Sequence, residues 1–350
     1  MPAEMNAVVL KSPFNVVCEK RPIPEIASDD QVIVKVQASG LCGSDLHWYR
    51  GHAKSEGNFI LGHEVVGQIV AVGAGVKKFA VGDVIVSPFS LSCGDCFHCR
   101  RGNTGRCVKQ CAFGTPTYDG GQAEYIRLPM ADTSLIKAPE GLPKDLLVLM
   151  TDILPTGFSV AKNARVLLDT DGVGGKGDVC VVIGCGPVGL CAVSSAVTMF
   201  ETVYATDIAS HRLEAAAKHG AIALPLDELK RQLAEATEGR GADAVLEVVG
   251  HESALVTALD LVRPFGVLSS CGVHTQNVTL NGSVLYGKNI RMQFGRCSVP
   301  KFFDEAFKIL LANRDLFSSF VENKIRLEQA AEFYPLFEQN KVAKTIFVMD

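Results

Sequence analysis

The alternation of apolar and polar positions divides the chain into two regions, and the first is predicted to be rich in strands. Residues 31–40 alternate in polarity, as in a strand with one buried face. Residues 64–86 contain two apolar stretches on either side of a glycine-rich turn, which predicts two paired strands. Residues 93–107 are too rich in glycine and cysteine for a regular element and are predicted to form a self-contained lobe. Up to about residue 150 we therefore expect a small β-barrel.

From about residue 178 the pattern changes to strands that alternate with helices. Residues 179–184 are an uninterrupted apolar run, typical of a strand that is buried on both faces. Further strands are predicted at 202–207, 242–250 and 265–272, and helices at 187–200, 211–220, 227–241 and 252–262. This alternation predicts an α/β fold with a doubly wound parallel sheet. A helix over 301–315 and a strand over 344–350 are predicted after it.

Composition limits the class of protein. The 350 residues, 47% of them apolar, are enough for two domains with large cores. The formal net charge of −4 gives no reason to expect nucleic acid or an anionic membrane as a partner. The apolar segment 188–200 is shorter than the ~18 residues of a membrane span, and polar residues interrupt it. The N-terminal residues do not resemble a secretory signal, so we expect a cytoplasmic location.

Four of the twelve cysteines are clustered, at Cys93, Cys96, Cys99 and Cys107. Four thiolates at this spacing can complete a tetrahedral shell around Zn²⁺ and leave no position open for a substrate. The cluster therefore predicts a structural zinc site. An iron–sulfur cluster and a loop of four free thiols are the alternatives, although four exposed thiols would be prone to oxidation.

The motif Gly184-x-Gly186-x-x-Gly189 follows a predicted strand and opens a predicted helix, and Asp207 ends the next strand. This is the context of a dinucleotide-binding fingerprint, in which the helix N-terminus stabilises the pyrophosphate. Asp207 would accept hydrogen bonds from the adenosine ribose and repel a 2′-phosphate, which favours NAD over NADP. The alternatives are a glycine-rich turn without a ligand and, for Asp207, a cap on the following helix.

A third set of polar residues contains Cys42, within GLCGSDLH at 40–47, and His63, within Gly-His-Glu at 62–64. Both side chains are common zinc ligands. A cysteine and a histidine twenty-one residues apart are weak evidence for a shared metal when they are taken alone.

Together these segments resemble the medium-chain, zinc-containing alcohol dehydrogenase family along the whole chain. The matching segments are GLCGSDLH (40–47), GHEVVGQIVAVGAGV (62–76), the four-cysteine lobe, DGGQAEY (119–125), VIGCGPVG (182–189) and Asp207. The resemblance implies a GroES-like β-barrel catalytic domain at 1–155 and 296–350, with the lobe at about 90–112. It implies a Rossmann NAD-binding domain at 156–295 and a homo-oligomer, dimer or tetramer, joined through the cofactor domains.

The resemblance also implies a second, catalytic zinc, held by Cys42, His63 and Asp152. Asp152 lies in TDILPTG at 151–157, where many members of the family have cysteine. In this respect the chain resembles the branch of secondary-alcohol and formaldehyde dehydrogenases. Asp152 could alternatively cap the helix that follows it. Glu64 could bind the metal transiently or be an ordinary acid beside the site.

Further site residues are implied in the same way. Ser44 would hydrogen-bond the substrate oxygen, His47 would pass the proton to solvent through the cofactor ribose, and Asp45 would orient His63. The expected cofactor contacts are Gly184, Gly186, Pro187, Val188, Gly189, Asp207, Arg212 and Val249, and the expected substrate-pocket residues are Phe89 and Trp48. Trp48 is equally compatible with a place in the core. The loop 169–178 is longer than the family leads us to expect.

The expected activity is a zinc-dependent hydride transfer between an alcohol, primary or secondary, and NAD, reversible to reduction of the aldehyde or ketone. One alternative is a formaldehyde dehydrogenase or aldehyde dismutase that retains its cofactor. Another is a non-catalytic cofactor-binding protein on the same fold. A protein of that last kind would have no need of the polar set around Cys42 and His63.

Overall fold

The computed structural model describes residues 3–170, 175 and 177–349. Its contacts divide the chain into unit 1, which is Met1–Asp152, Ser298–Asp304 and Asn313–Asp350, and unit 2, which is Ile153–Cys297 and Glu305–Ala312. The segment Glu305–Ala312 thus groups with unit 2, although we expected all of 296–350 in the catalytic domain. Within the predicted long loop 169–178, residues 171–174 and 176 lie outside the described residues.

Most of unit 1 consists of successive strands, whereas in unit 2 strands alternate with helices. The strands are β1 (Glu4–Ser12), β2 (Asn15–Pro22), β3 (Val32–Leu41), β4 (Phe59–Ile60), β5 (Val65–Val72), β6 (Val84–Ser87), β7 (Ser90–Leu91), β8 (Cys111–Ala112), β9 (Tyr125–Leu128), β10 (Ile136–Lys137), β11 (Val179–Ile183), β12 (Thr202–Thr206), β13 (Ile222–Ala223), β14 (Ala242–Glu247), β15 (Val262–Ser270), β16 (Arg291–Phe294), β17 (Asn323–Ile325) and β18 (Thr345–Val348). The α-helices are α1 (Gly43–Tyr49), α2 (Ala131–Ser134), α3 (Lys144–Leu147), α4 (Ile153–Asp169), α5 (Pro187–Ala196), α6 (Ser210–Lys218), α7 (Leu226–Ala236), α8 (Glu252–Leu261), α9 (Gly282–Lys288), α10 (Val299–Ala312), α11 (Arg314–Phe320) and α12 (Ala330–Glu338).

Unit 1 contains a mixed sheet in the order β10-β6-β5-β3-β18-β17, with β9 also paired to β3. The strand β3 is at its centre, antiparallel to β5, β9 and β18. It ends at Leu41, directly before Cys42, whereas β5 starts at Val65, directly after His63 and Glu64. Because the two strands are antiparallel, with Ser39 opposite Val65, these polar residues meet at one end of the sheet.

Unit 2 contains a six-stranded parallel sheet in the order β13-β12-β11-β14-β15-β16, as the pattern predicted. Alternate side chains of β11 enter the apolar clusters on its two faces: Cys180 and Val182 enter one, Val181 and Ile183 the other. The order of the strands reverses between β12-β11 and β14, and such a switch point opens a crevice at the carboxyl ends of the strands. The turn that begins at Gly184 lies at that edge of the sheet.

Some element limits differ from the prediction. The helix predicted at 227–241 ends at Ala236, because Glu238 and Gly239 both have positive φ and take the chain out of the helix. The strand predicted at 265–272 begins earlier, at Val262, directly after α8. Among the described residues, no helix has both the length and the apolar character needed to cross a membrane.

Candidate active site

Cys42, His63, Glu64 and Asp152 converge in unit 1. All four side chains are buried, and their ligand atoms lie within 4.8 Å of one another. Cys42 and His63 come from the adjoining ends of β3 and β5, and Asp152 follows a 3₁₀ turn over Val148–Thr151. The backbone N–H of Phe89 donates to the carbonyl of Thr151 at 3.0 Å, which attaches that turn to the segment after β6.

The arrangement fits a zinc ion. Nε2 of His63 and Oε1 of Glu64 are buried and have no hydrogen-bond partner among the described residues. Nε2 of His63 lies 3.5 Å from Oδ2 of Asp152. Buried polar atoms normally have a partner, and burial raises the pKa of the Cys42 thiol. A divalent cation would satisfy these atoms and favour the thiolate, and a thiolate, an imidazole and carboxylates are donors that zinc accepts.

Asp45 contacts the two predicted ligands from the first turn of α1. Its Oδ1 lies 3.1 Å from Nδ1 of His63, and its Oδ2 accepts a hydrogen bond from the backbone N–H of Cys42 at 3.1 Å. Burial would lower the pKa of His63, but the neighbouring Asp45 and Cys42 raise it above its usual value. This is the geometry expected of a residue that orients His63.

The sequence did not predict the role of Lys344. Its Nζ lies 2.6 Å from Oε2 of Glu64, and the two side chains are 1% and 0% exposed. Burial would lower the pKa of Lys344, but Glu64 and Cys42 raise it overall, so the ammonium keeps its charge. Only the pairing of β18 with β3, which places Thr345 opposite Leu41, reveals this contact.

Ser44 and His47 lie three residues apart on α1 and therefore share one face of that helix. Ser44 is exposed and His47 is half-buried. Nδ1 of His47 has no hydrogen-bond partner among the described residues. Burial lowers the pKa of His47, and the nearby His52 and Arg50 lower it further. The imidazole is therefore neutral at pH 7 and can accept a proton.

The two predicted substrate-pocket residues lie in different surroundings. The ring of Phe89 is 6.5 Å from that of His63 and nearly perpendicular to it, so Phe89 lies beside the convergent set. The ring of Trp48 packs edge-on against Phe59 at 5.5 Å and against a buried apolar cluster that includes Leu46. The packing of Trp48 favours the alternative that it belongs to the core.

The four cysteines of the lobe form a second convergent set. Sγ of Cys96 is 3.5 Å from Sγ of Cys99, Sγ of Cys107 is 3.4 Å from Sγ of Cys93, and all four lie within 4.8 Å of one another. Hydrogen bonds from the backbone N–H groups of Cys99 and Val108 lower the pKa of Cys96 to about 6, which favours its thiolate. The donor set fits a zinc ion with four sulfur ligands.

The glycine motif forms a tight turn between β11 and α5. A Cβ at Gly189 would lie 1.9 Å from the carbonyl oxygen of Gly184, so only glycine permits this approach of helix and turn. Nothing lies within 4 Å of the corresponding position at Gly186, which leaves space for a ligand. Pro187 occupies the first turn of α5, where its missing N–H costs nothing.

The carboxylate of Asp207 connects this turn to the end of β12. It accepts hydrogen bonds from the backbone N–H groups of Cys185, at 2.8 Å, and Ala209, at 3.0 Å. The guanidinium of Arg212 lies 3.7 Å away. Asp207 thus stabilises the turn, in addition to its predicted role in binding the cofactor. Its hydrogen bond with Ala209, the residue directly before α6, resembles the alternative in which Asp207 caps that helix.

Two exposed aliphatic side chains follow the carboxyl ends of β12 and β14, the two strands that flank β11 in the sheet of unit 2. Ile208, after β12, is 104% exposed, and Val249, after β14, is 50% exposed. Val249 is a predicted cofactor contact. The exposure of Ile208 was not predicted, because a single apolar residue in a loop has no periodic signal. Exposed aliphatic side chains beside a ligand crevice offer apolar surface to a planar base.

Comparison with known proteins identifies the family. Two family models match, the alcohol dehydrogenase GroES-like domain over residues 28–140 and the zinc-binding dehydrogenase over residues 187–313. The zinc-type alcohol dehydrogenase B of Aspergillus flavus is 44% identical over 349 residues, which cover 98% of this chain and 81% of the relative.

Solved structures agree with this assignment. The alcohol dehydrogenase TADH from Thermus sp. ATN1 matches with a TM-score of 0.91 and 32% identity, over 99% of this chain and 100% of that chain. A dehydrogenase from E. coli CFT073, RspB, solved with NADH, matches with a TM-score of 0.82 and 27% identity, over 99% and 100% of the two chains. The predicted GroES-like and Rossmann folds are therefore confirmed, and the chain belongs to the medium-chain, zinc-containing alcohol dehydrogenase family.

Proposed function

We propose that this protein is an NAD-dependent zinc alcohol dehydrogenase that oxidises an alcohol to its aldehyde or ketone, and that the reaction is reversible. The observation that carries the proposal is the convergence of Cys42, His63, Glu64 and Asp152 in a chain of this family. A protein that only bound the cofactor would have no use for these buried, mutually repelling acids.

The reaction removes a hydride from the carbinol carbon and a proton from the hydroxyl, which leaves the carbonyl product. When bound, zinc would supply a Lewis acid for the substrate oxygen, and NAD would accept the hydride. Cys42, His63 and Asp152 would hold the zinc. Ser44 would receive the proton and His47, neutral at pH 7, would accept it in turn, a contribution of typically 10²–10⁴-fold for general bases.

A panel of alcohols and aldehydes, followed by the absorbance of NADH, tests this activity. Asp152→Ala should remove one of two zinc ions, measured by elemental analysis, and lower turnover by orders of magnitude. Asp152→Cys should recover more activity than Asp152→Asn, because it restores the negative charge of the ligand set. Two retained zinc ions and near-normal turnover in Asp152→Ala would show that Asp152 is a helix cap.

The cofactor is proposed to be NAD because the negative charge of Asp207 would repel a 2′-phosphate. Arg212, at 3.7 Å, works against this by offsetting part of that charge. We expect the charge of Asp207 to outweigh that of Arg212, because solvent screens the more exposed group more strongly: the side chain of Asp207 is 5% exposed and that of Arg212 is 29% exposed. Values of kcat/KM for NAD and NADP decide the matter, and an equal or higher value for NADP would refute the assignment of Asp207.

A further inference from the structure

A buried chain of hydrogen bonds runs from α12 to His63 within unit 1. The hydroxyl of Tyr334 donates to Oε1 of Gln122 at 2.7 Å, and Nε2 of Gln122 donates to Oδ2 of Asp45 at 3.1 Å. Oδ1 of Asp45 then lies 3.1 Å from Nδ1 of His63. Tyr334 and Gln122 are 0% exposed and Asp45 is 1% exposed, so water does not compete for these bonds.

The direction of the chain follows from its acceptors. The amide of Gln122 faces two groups that can only accept, the carboxylate of Asp45 and the carbonyl of Gly40, each at 3.1 Å. Its NH₂ must therefore face them, which leaves Oε1 for the phenol. Burial and the neighbouring Asp45 hold the pKa of Tyr334 well above its usual value, so the phenol keeps its proton.

Asp45 is consequently held at both oxygens. Oδ2 accepts from Gln122 and from the backbone N–H of Cys42, which leaves Oδ1 to accept from His63. Because Oδ1 can only accept, it favours the ring proton on Nδ1, so the neutral imidazole that a metal binds would have its lone pair on Nε2, the atom that faces Asp152. Each bond in the chain thus helps to set the direction in which the imidazole presents its lone pair.

Backbone contacts attach Gln122 to the segment that carries His63. The backbone N–H of Gln122 donates to the carbonyl of Leu61 at 2.9 Å, and that of Gly121 donates to the carbonyl of Gly62 at 2.9 Å. A Cβ at Gly62 would lie 2.4 Å from Cγ of Gln122, so the two segments are packed without a gap. These contacts explain why DGGQAEY at 119–125 accompanies the metal-site motifs.

We propose that Gln122 and Tyr334 are positioning residues for the metal ligand His63: they fix the carboxylate of Asp45, which holds the imidazole in place for the metal. The inference rests on the proposed zinc site and needs neither the proposed substrate nor the proposed cofactor. Loss of an outer partner of a metal-ligating histidine typically costs about 10–100-fold in metal affinity.

The test measures zinc affinity by competition with a chelator, in the full-length protein, with the lobe zinc as an internal reference. Gln122→Leu should weaken binding at the Cys42 site toward the lower end of that range, about 10-fold, because it acts through Asp45, and Tyr334→Phe should weaken it less because it removes a more distant bond. Tyr49→Phe is the matched control. Its ring lies 5.3 Å from that of Tyr334 in the same apolar cluster, and it takes no part in the chain of hydrogen bonds described above.

Substitution of cobalt for zinc gives a second measurement, the visible absorption spectrum. This spectrum would not change if Gln122 and Tyr334 only stabilised the fold. The visible absorption bands of the cobalt protein should shift in Gln122→Leu and Tyr334→Phe and stay unchanged in Tyr49→Phe. If Gln122→Leu does not fold, Tyr334→Phe decides the question alone, since it removes a single oxygen atom. Folded variants with wild-type affinity and spectrum would overturn the inference. A wild-type protein with zinc in the lobe alone would overturn the proposed metal site together with it.

Discussion

Lys344 and Glu64 form a buried ion pair. The carboxylate of Glu64 lies within 4.8 Å of the ligand atoms of Cys42, His63 and Asp152. Asp45 and Asp152 add two carboxylates to that of Glu64, whereas Lys344 supplies one positive charge. The excess negative charge is one that a bound cation would neutralise. At the scale of single residues, the stability of the site therefore depends on the balance of these buried charges. Removal of one partner of the ion pair should lower the free energy of unfolding.

Lys344→Met should lower the free energy of unfolding by about 3–5 kcal/mol, because the buried carboxylate of Glu64 loses its counter-ion. Urea denaturation measures this, and Lys341→Met, which changes an exposed lysine nearby, should have little effect. Adding Glu64→Gln to Lys344→Met should restore part of the loss. Equal stability of Lys344→Met and Lys341→Met would show that the ion pair of Lys344 and Glu64 does not stabilise the fold.

At the scale of elements, the long apolar patterns were sufficient to predict four of the six parallel strands, β11, β12, β14 and β15, and the helices α5 to α8. β11 is apolar at every position because both faces are covered, and the sequence shows that directly. Strands of two residues such as β4 and β7 were not predicted, since two positions carry no period. Lys344 and Gln122 were also missed, because their partners lie far along the chain and no local pattern records such a contact.

The lobe is an element of its own, and we propose that it binds a zinc ion that stabilises the fold. Cys96→Ser should release the lobe zinc and lower the Tm, measured by calorimetry, because the loop between Cys93 and Cys107 loses its cross-link. Zinc at the proposed site of Cys42, His63 and Asp152 should remain, and so should the turnover of the protein that is still folded. Loss of turnover with an unchanged Tm would mean that the lobe takes part in the chemistry.

At the scale of the whole molecule, we propose that a second copy of the chain binds at unit 2. Among the described residues, β16 pairs only with β15, so one edge of this strand has no partner strand. Its Met292 and Phe294 are 37% and 44% exposed, and Tyr286 on α9 is 89% exposed. A free edge beside exposed apolar side chains is a surface that a second sheet edge can cover.

Phe294→Glu should therefore reduce the mass of the particle in solution, because a charge would be buried in the interface. Light scattering after gel filtration measures this mass. Val256→Glu is the matched control: Val256 lies on α8 of the same unit and is 52% exposed. A wild-type protein that is monomeric at all concentrations would refute the proposal.

The Lys344–Glu64 pair has a consequence for the order of events during synthesis. The two residues are 280 positions apart. At typical translation rates of about 5–20 residues per second, the carboxylate leaves the ribosome roughly 15 to 55 seconds before its ammonium partner. All of unit 2 is made in that interval. Unit 2 can therefore fold on the nascent chain while the acids of unit 1 still lack their counter-ion, and the proposed metal site is among the last parts of the protein to mature.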